Sequence, residues 1–185
     1  MKILILVFTL YFSFDVFAQS SVKTHREHEA HVHGAGTLAI AFDDLVGHVE
    51  FKAASEGVLG FEHNAKSEAD QKELRALTAK FENEISKFVI FEPALNCRFS
   101  KEKIAMILEK VSPKKEKQSG KIEGEHSDFV ANFKVVCEKS VLDSKLTIDF
   151  SSFSKMKDLD VTVLVGDLQK NAEAKLKLIT IELKK

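Results

Sequence analysis

The side chains best suited to chemistry in this chain are histidines, and four of the seven lie close together near the N-terminus. These four are His25, His28, His31 and His33, with Glu27 and Glu29 between them as further oxygen donors. Imidazole is the commonest metal ligand in proteins, because its neutral form near pH 7 offers a lone pair. The first three histidines would share a face of a helix, and the last two would share a face of an extended chain. The spacing therefore favours metal binding, and the alternative is a polar tail without a specific ligand.

The stretch before this cluster, residues 1–18, is typical of a secretory signal peptide. Lys2 is followed by an apolar run from Ile3 to Phe14, and Val16-Phe17-Ala18 has small residues where cleavage requires them. The run is shorter than the roughly 20 apolar residues that span a bilayer. We therefore expect export to the periplasm with cleavage after Ala18, and no membrane insertion.

The composition limits the possible partners of the chain and predicts the character of its core. A formal net charge of −1 gives no basic field that would attract nucleic acid, so we expect no nucleic-acid partner. Fifteen phenylalanines and no tryptophan predict a core rich in phenylalanine. The length after cleavage suits a single domain with a sizeable core.

The two cysteines, Cys97 and Cys137, each lie in a strand-like run. An oxidising compartment would allow them to pair, which favours a disulfide. The alternative is a pair of thiolate ligands for a metal, but no C-x-x-C spacing supports that interpretation.

Alternating apolar and polar residues predict a β-hairpin over 37–52 with its turn at Asp43-Asp44. Gly57 and Gly60 bracket an apolar pair, which predicts a turn with close backbone packing. The stretch from Ser67 to Asp70 has the form of a capping box, so a helix should run from about Glu68 to about Lys87. Apolar residues at steps of three and four give that helix one buried face. His48, on the polar face of the hairpin, is expected to be a solvated surface residue.

The rest of the chain is dominated by strand-like runs. They cover 97–111, with a buried strand expected at 104–108, and then 129–137, 145–150, 159–165 and 172–178. Residues 151–157 are expected to form a short helical turn, and the lysine-rich stretch 112–124 a mobile loop. The predicted fold class is α+β, a mainly antiparallel β-sheet with one long amphipathic helix. A His-rich N-terminal segment, 19–35, would precede a single domain over 36–185.

Three short motifs in this order resemble the ZrgA-like family of periplasmic proteins associated with zinc uptake. They are His31-Val32-His33-Gly34, Gly60-Phe61-Glu62-His63 and His126-Ser127-Asp128-Phe129. The resemblance covers the whole mature chain and implies a soluble periplasmic zinc-binding protein that supplies metal to a high-affinity importer. This chain departs from the family in its polar loop, where lysines replace a run of histidines and aspartates. A high-capacity zinc store is therefore not expected.

A zinc site needs nitrogen and oxygen ligands in a tetrahedral array. We expect histidines of the N-terminal cluster to meet His63 and His126, with Glu62 or Asp128 completing or orienting the set. Copper(II) and nickel(II) also favour imidazole, so the ligand types alone do not select the metal.

Two other functions compete with zinc supply. In a metal-dependent hydrolase, His33, His63 and His126 would hold the metal and Glu62 would act as the base. No H-E-x-x-H motif, nucleophile elbow or glycine-rich phosphate loop is present, so we expect that the protein is not an enzyme. The second alternative is an interaction domain that contacts an importer component without binding metal.

Overall fold

The computed structural model describes residues 34–108, 126–175 and 178–185. In these ranges the chain forms two helices, nine strands and a short 3-10 turn at Pro93–Leu95. The first half contains β1 (Ala35–Asp43), β2 (Val46–Ala54), α1 (Ser55–Leu59), α2 (Glu68–Phe88), β3 (Val89–Phe91) and β4 (Arg98–Leu108). The second half contains β5 (Ser127–Val136), β6 (Lys145–Ile148), β7 (Asp158–Val165), β8 (Leu168–Ala174) and β9 (Ile179–Glu182).

The strands form two sheets. Six strands in the order β4-β5-β2-β1-β7-β8 make the large sheet, and β3-β6-β9 make the small one. Every neighbouring pair is antiparallel except β1 and β7, which run parallel. This architecture confirms the predicted α+β class with a mainly antiparallel sheet and one long helix.

The core lies between one face of the large sheet, α2 and the small sheet. Phe81 of α2 is fully buried, and its ring centroid lies 5.0 Å from that of Phe51 on β2 and 5.2 Å from that of Phe129 on β5. Phe42 of β1 meets Phe91 of β3 edge to face at 5.5 Å, which joins the two sheets. The core is therefore rich in phenylalanine, as the composition predicts.

The local signals in the N-terminal half are confirmed. β1 pairs with β2 around a turn in which Asp44 adopts a positive φ of 53°. Helix α2 begins where the capping box predicts, because the Ser67 hydroxyl accepts a hydrogen bond from the Asp70 backbone N–H at 3.1 Å. Gly57 also packs closely against the backbone as expected, although the segment before Gly60 is the short helix α1 rather than a turn.

The expectation of a buried strand at 104–108 is wrong. This stretch forms the second half of β4, which among the described residues pairs only with β5 and so lies at the edge of the large sheet. Ile107 and Leu108 consequently remain 40% and 38% exposed. The polar interruption at 101–103 is a β-bulge, which lets the strand continue through it.

The C-terminal region also differs from the prediction. The single strand expected over 172–178 is two strands, since β8 ends at Ala174 and β9 begins at Ile179 in the other sheet. A tight turn with Gly166 at φ 54° starts β8 earlier and pairs it with β7. Residues 151–157 form two successive turns in place of the single helical turn expected there, with Phe153 N–H bonded to Phe150 O and Met156 N–H bonded to Phe153 O.

Several predictions fall on residues outside the described ranges. These are the signal peptide over 1–18, the four clustered histidines and the loop over 112–124. Among the described residues, no helix is both long and apolar enough to cross a membrane.

The predicted disulfide is present between Cys97 and Cys137, with an S–S distance of 2.02 Å. It joins the chain just before β4 to the chain just after β5, where the two strands are already paired. The bond therefore closes one end of the β4–β5 pair, and Leu108 and Ser127 lie at the other end.

Replacing both cysteines, Cys97→Ala/Cys137→Ala, should lower the free energy of unfolding. The bridge closes a separation of 40 residues, for which the chain-entropy model gives about 4 kcal/mol. Urea denaturation of the variant and the unreduced wild type measures the difference. An unchanged unfolding free energy, or two reactive thiols in the unreduced wild type, would contradict this assignment.

Candidate metal centre

Three chain segments that carry predicted site residues emerge at the same end of the large sheet. β1 begins there, β2 ends there and β5 begins there. The register places Gly36 opposite Ala53, and Ala54 opposite Asp128. Neighbouring strands lie about 4.8 Å apart. Gly34 before β1 and His126 before β5 therefore lie on either side of the residues that follow β2, about 10 Å apart.

Gly34 fixes the point at which the histidine cluster joins the domain. It is buried, has a positive φ of 82°, and its carbonyl accepts a hydrogen bond from Lys157 N–H at 2.6 Å. A Cβ at this position would lie 2.9 Å from the Lys155 carbonyl oxygen, so only glycine fits. A Cβ on Gly57 of α1 would lie 3.3 Å from the Gly34 Cα, so the two backbones are in close contact.

Glu62 orients His126. Glu62 Oε2 and His126 Nδ1 are 2.8 Å apart, and both side chains are about one-third or less exposed. Because a carboxylate only accepts, Nδ1 carries the hydrogen in the neutral imidazole and Nε2 carries the lone pair. The Ser127 hydroxyl donates to the Glu62 carbonyl at 2.7 Å and holds the loop against β5. This is the carboxylate–histidine arrangement that commonly supports metal-ligating imidazoles.

His63 has a carboxylate partner of its own. Its Nε2 lies 3.2 Å from Asp70 Oδ2, and its ring centroid lies 5.0 Å from that of Phe61. Hydrogen bonds from Ser67 are the main cause of the lowered pKa of Asp70, and the bond from His63 lowers that pKa further. Asp70 therefore stays ionised and accepts from Nε2–H, so Nδ1 of His63 carries the lone pair.

Sequence reasoning assigned Asp70 only to the helix cap and did not connect it with His63. The available signal was the short separation of His63 from the start of α2, together with an aspartate in place of the usual glutamate of a capping box. One carboxylate thus caps the helix and orients an imidazole.

Asp128 and His48 are not members of these two carboxylate–histidine pairs. The Asp128 carboxylate is largely buried and forms an ion pair with Lys52 at 3.0 Å across β5 and β2. His48 is exposed on the uncovered face of the large sheet, 3.3 Å from Glu102, as expected for a surface histidine. The ligand role of Asp128 stays a prediction.

Within residues 34–108, 126–175 and 178–185, no three His, Cys, Asp or Glu side chains are grouped so that they could hold a metal ion. The structure brings Glu62 to His126 and Asp70 to His63, which prepares two nitrogen donors. A closed zinc site takes four ligands. The remaining predicted ligands, His25, His28, His31 and His33, lie outside the described ranges.

Residues 30–183 match the ZrgA family of zinc uptake proteins. The chain belongs to this family. No curated protein matches the chain. The ZrgA match includes His31, His33, His63 and His126, whereas His25 and His28 precede it. Family membership gives the protein a role in zinc uptake, as the resemblance of its motifs indicates.

The imidazoles of His63 and His126 should have opposite tautomers when neutral. Nitrogen-15 NMR should find the hydrogen of His126 on Nδ1 and that of His63 on Nε2, because Glu62 and Asp70 accept at those atoms. Glu62→Ala should remove the preference of His126 for the tautomer protonated on Nδ1, and it should leave the tautomer of His63 unchanged. A wild-type His126 protonated on Nε2 would contradict the assigned orientation.

Proposed function

We propose that this protein is an exported, soluble periplasmic zinc carrier that captures zinc and supplies it to a high-affinity importer. The observation that carries the proposal is the meeting of three segments at one end of the large sheet. Gly34, to which the histidine-rich segment is bonded in the sequence, lies at this end, the loop after α1 carries Glu62 and His63, and His126 precedes β5.

In the proposed site, His126 binds zinc through Nε2 and His63 binds through Nδ1. Glu62 and Asp70 hold these rings through their other nitrogens, which makes Glu62 an orienting group rather than a direct ligand. His31 and His33 supply the remaining nitrogens. His33 directly precedes Gly34 in the sequence. His25 and His28 are further from this anchor and serve to capture incoming ions.

A carrier must release its metal without unfolding. The core consists of apolar side chains from the large sheet, α2 and the small sheet, and it does not include the candidate ligands. Folding free energy therefore does not depend on zinc as it does in zinc fingers. The side chains of His126 and His63 are 33% and 58% exposed, which leaves both rings accessible to an incoming ion or a receiving protein.

The proposed location follows from two features. The disulfide between Cys97 and Cys137 suits an oxidising compartment, and the predicted signal peptide would direct the chain there. We also infer that the protein is not an enzyme. The Glu62 carboxylate, which a hydrolase would need as a base, is hydrogen-bonded to His126 Nδ1.

Zinc affinity should depend on the histidines of all three segments. His31→Ala/His33→Ala and His126→Ala should weaken zinc binding most, because each removes proposed ligands. Glu62→Ala should weaken it by about 10–100-fold, as is usual for a carboxylate that orients a ligating histidine. Affinity should also fall as the pH is lowered, because a ligating imidazole must be neutral. Competition with a chromophoric chelator measures each effect.

His48→Ala is the matched control for these variants, because His48 is a histidine with a carboxylate neighbour on another surface. It should bind zinc like the wild type. If His126→Ala also binds like the wild type, the convergence of the three segments is not a zinc site.

Gly34→Ala should weaken zinc binding even though it removes no ligand. The added Cβ meets the Lys155 carbonyl, so the anchor of the histidine-rich segment must move. Gly166→Ala is the control, because Gly166 also has a positive φ but a Cβ added there would have no other atom within 4 Å among the described residues. Chelator competition on both variants should show a loss only for Gly34→Ala. Equal zinc affinity in the two variants would rule out the anchoring role.

A further inference from the structure

The edge strand β4 has two unlike halves. The first half contains Arg98, Lys101, Glu102 and Lys103 and the β-bulge. Charged side chains and bulges are the usual protection of a sheet edge against pairing with another chain. The second half, Ile104-Ala105-Met106-Ile107-Leu108, contains no charge, no proline and no bulge.

The opposite edge of the large sheet is protected along its length. Strand β8 carries Gln169, Lys170, Asn171 and Glu173. Among the described residues, β8 and the first half of β4 are therefore protected against pairing with another chain. The second half of β4 presents an apolar edge, and Ile107 there is 40% exposed.

We propose that residues 104–108 pair antiparallel with the same residues of a second copy, so that two large sheets join edge to edge in a twofold dimer. The segment is self-complementary about Met106. Ile104 of each copy would face Leu108 of the other, and Ala105 would face Ile107. Each opposed pair is apolar, as cross-strand pairing favours.

The pairing with β5 shows that this complementarity holds on both faces of the sheet. Met106 lies opposite the buried Phe129 and Ile104 opposite the buried Ala131, so these side chains are on the core face. Ala105 and Ile107 alternate onto the outer face. The joined sheets would therefore have apolar contacts across the dyad on each side.

Charge disfavours registers that are centred in the first half of β4. A pairing centred on Glu102 would place Lys101 opposite Lys103, and like charges in direct opposition are destabilising. Centring on Met106 keeps the charged half of each β4 outside the five paired residues. A contact of this length is small, so the dimer should be weak and in equilibrium with monomer.

Because the pairing is antiparallel, the candidate metal centres of the two copies would lie at opposite ends of the joined edge. Dimerisation should therefore not require zinc, and it is tested with chelator present. Light scattering after size exclusion, over micromolar to submillimolar loading, should show the mean mass of the mature protein rising toward that of a dimer.

Ile107→Lys should hold the protein as a monomer over the same range. Leu164→Lys is the matched control, since Leu164 is equally exposed at 40% but lies on the interior strand β7. It should dimerise like the wild type. A monomeric wild type at every concentration, or equal behaviour of the two variants, would overturn the proposal.

The register has a test of its own. Met106→Cys should form a disulfide-linked dimer on mild oxidation, because the two Met106 Cα atoms would face each other within disulfide range. Ser100→Cys, on the same strand but outside the paired residues, should remain uncrosslinked. Crosslinking of Ser100→Cys but not of Met106→Cys would exclude pairing about Met106.

Discussion

The hydrogen-bonded register of β1, β2 and β5 is the constraint on which the rest of the structure depends. It places Phe51 and Phe129 on the same face, where both contact Phe81 of α2. It also places the start of β1, the end of β2 and the start of β5 side by side. A slip of one residue would turn the phenylalanines out of the core and would separate Glu62 from His126. Core packing and site geometry are therefore set together.

The candidate centre joins elements that are far apart in sequence through carboxylate–histidine pairs. Glu62 links the loop after α1 to β5 through His126, and Asp70 links the same loop to α2 through His63. Each pair also fixes which ring nitrogen carries the lone pair. The described domain thus orients two imidazoles, and Gly34, which follows the histidine-rich segment in the sequence, lies at the same end of the large sheet. For the proposed carrier this division matters, because the apolar core contains none of the candidate ligands.

Features with a local cause were predictable from the sequence. Alternation predicted the β1–β2 hairpin, the capping box predicted the start of α2, and export predicted the bond between Cys97 and Cys137. The position of each strand within the sheet was not predictable, because it depends on the strand order. The run 104–108 is as apolar as a buried strand, yet it lies at an edge. The pairing of Glu62 with His126 was expected only as a general convergence, since 64 residues separate them.

The central claim is that zinc is bound where the three segments meet. Nitrogen-15 NMR of the imidazoles during zinc titration of the full mature chain tests it most directly. We predict that the signals of His63, His126 and at least one of His31 and His33 shift together, with one saturation point, while the signal of His48 does not move. Shifts confined to the N-terminal histidines, with His63 and His126 unchanged, would contradict it.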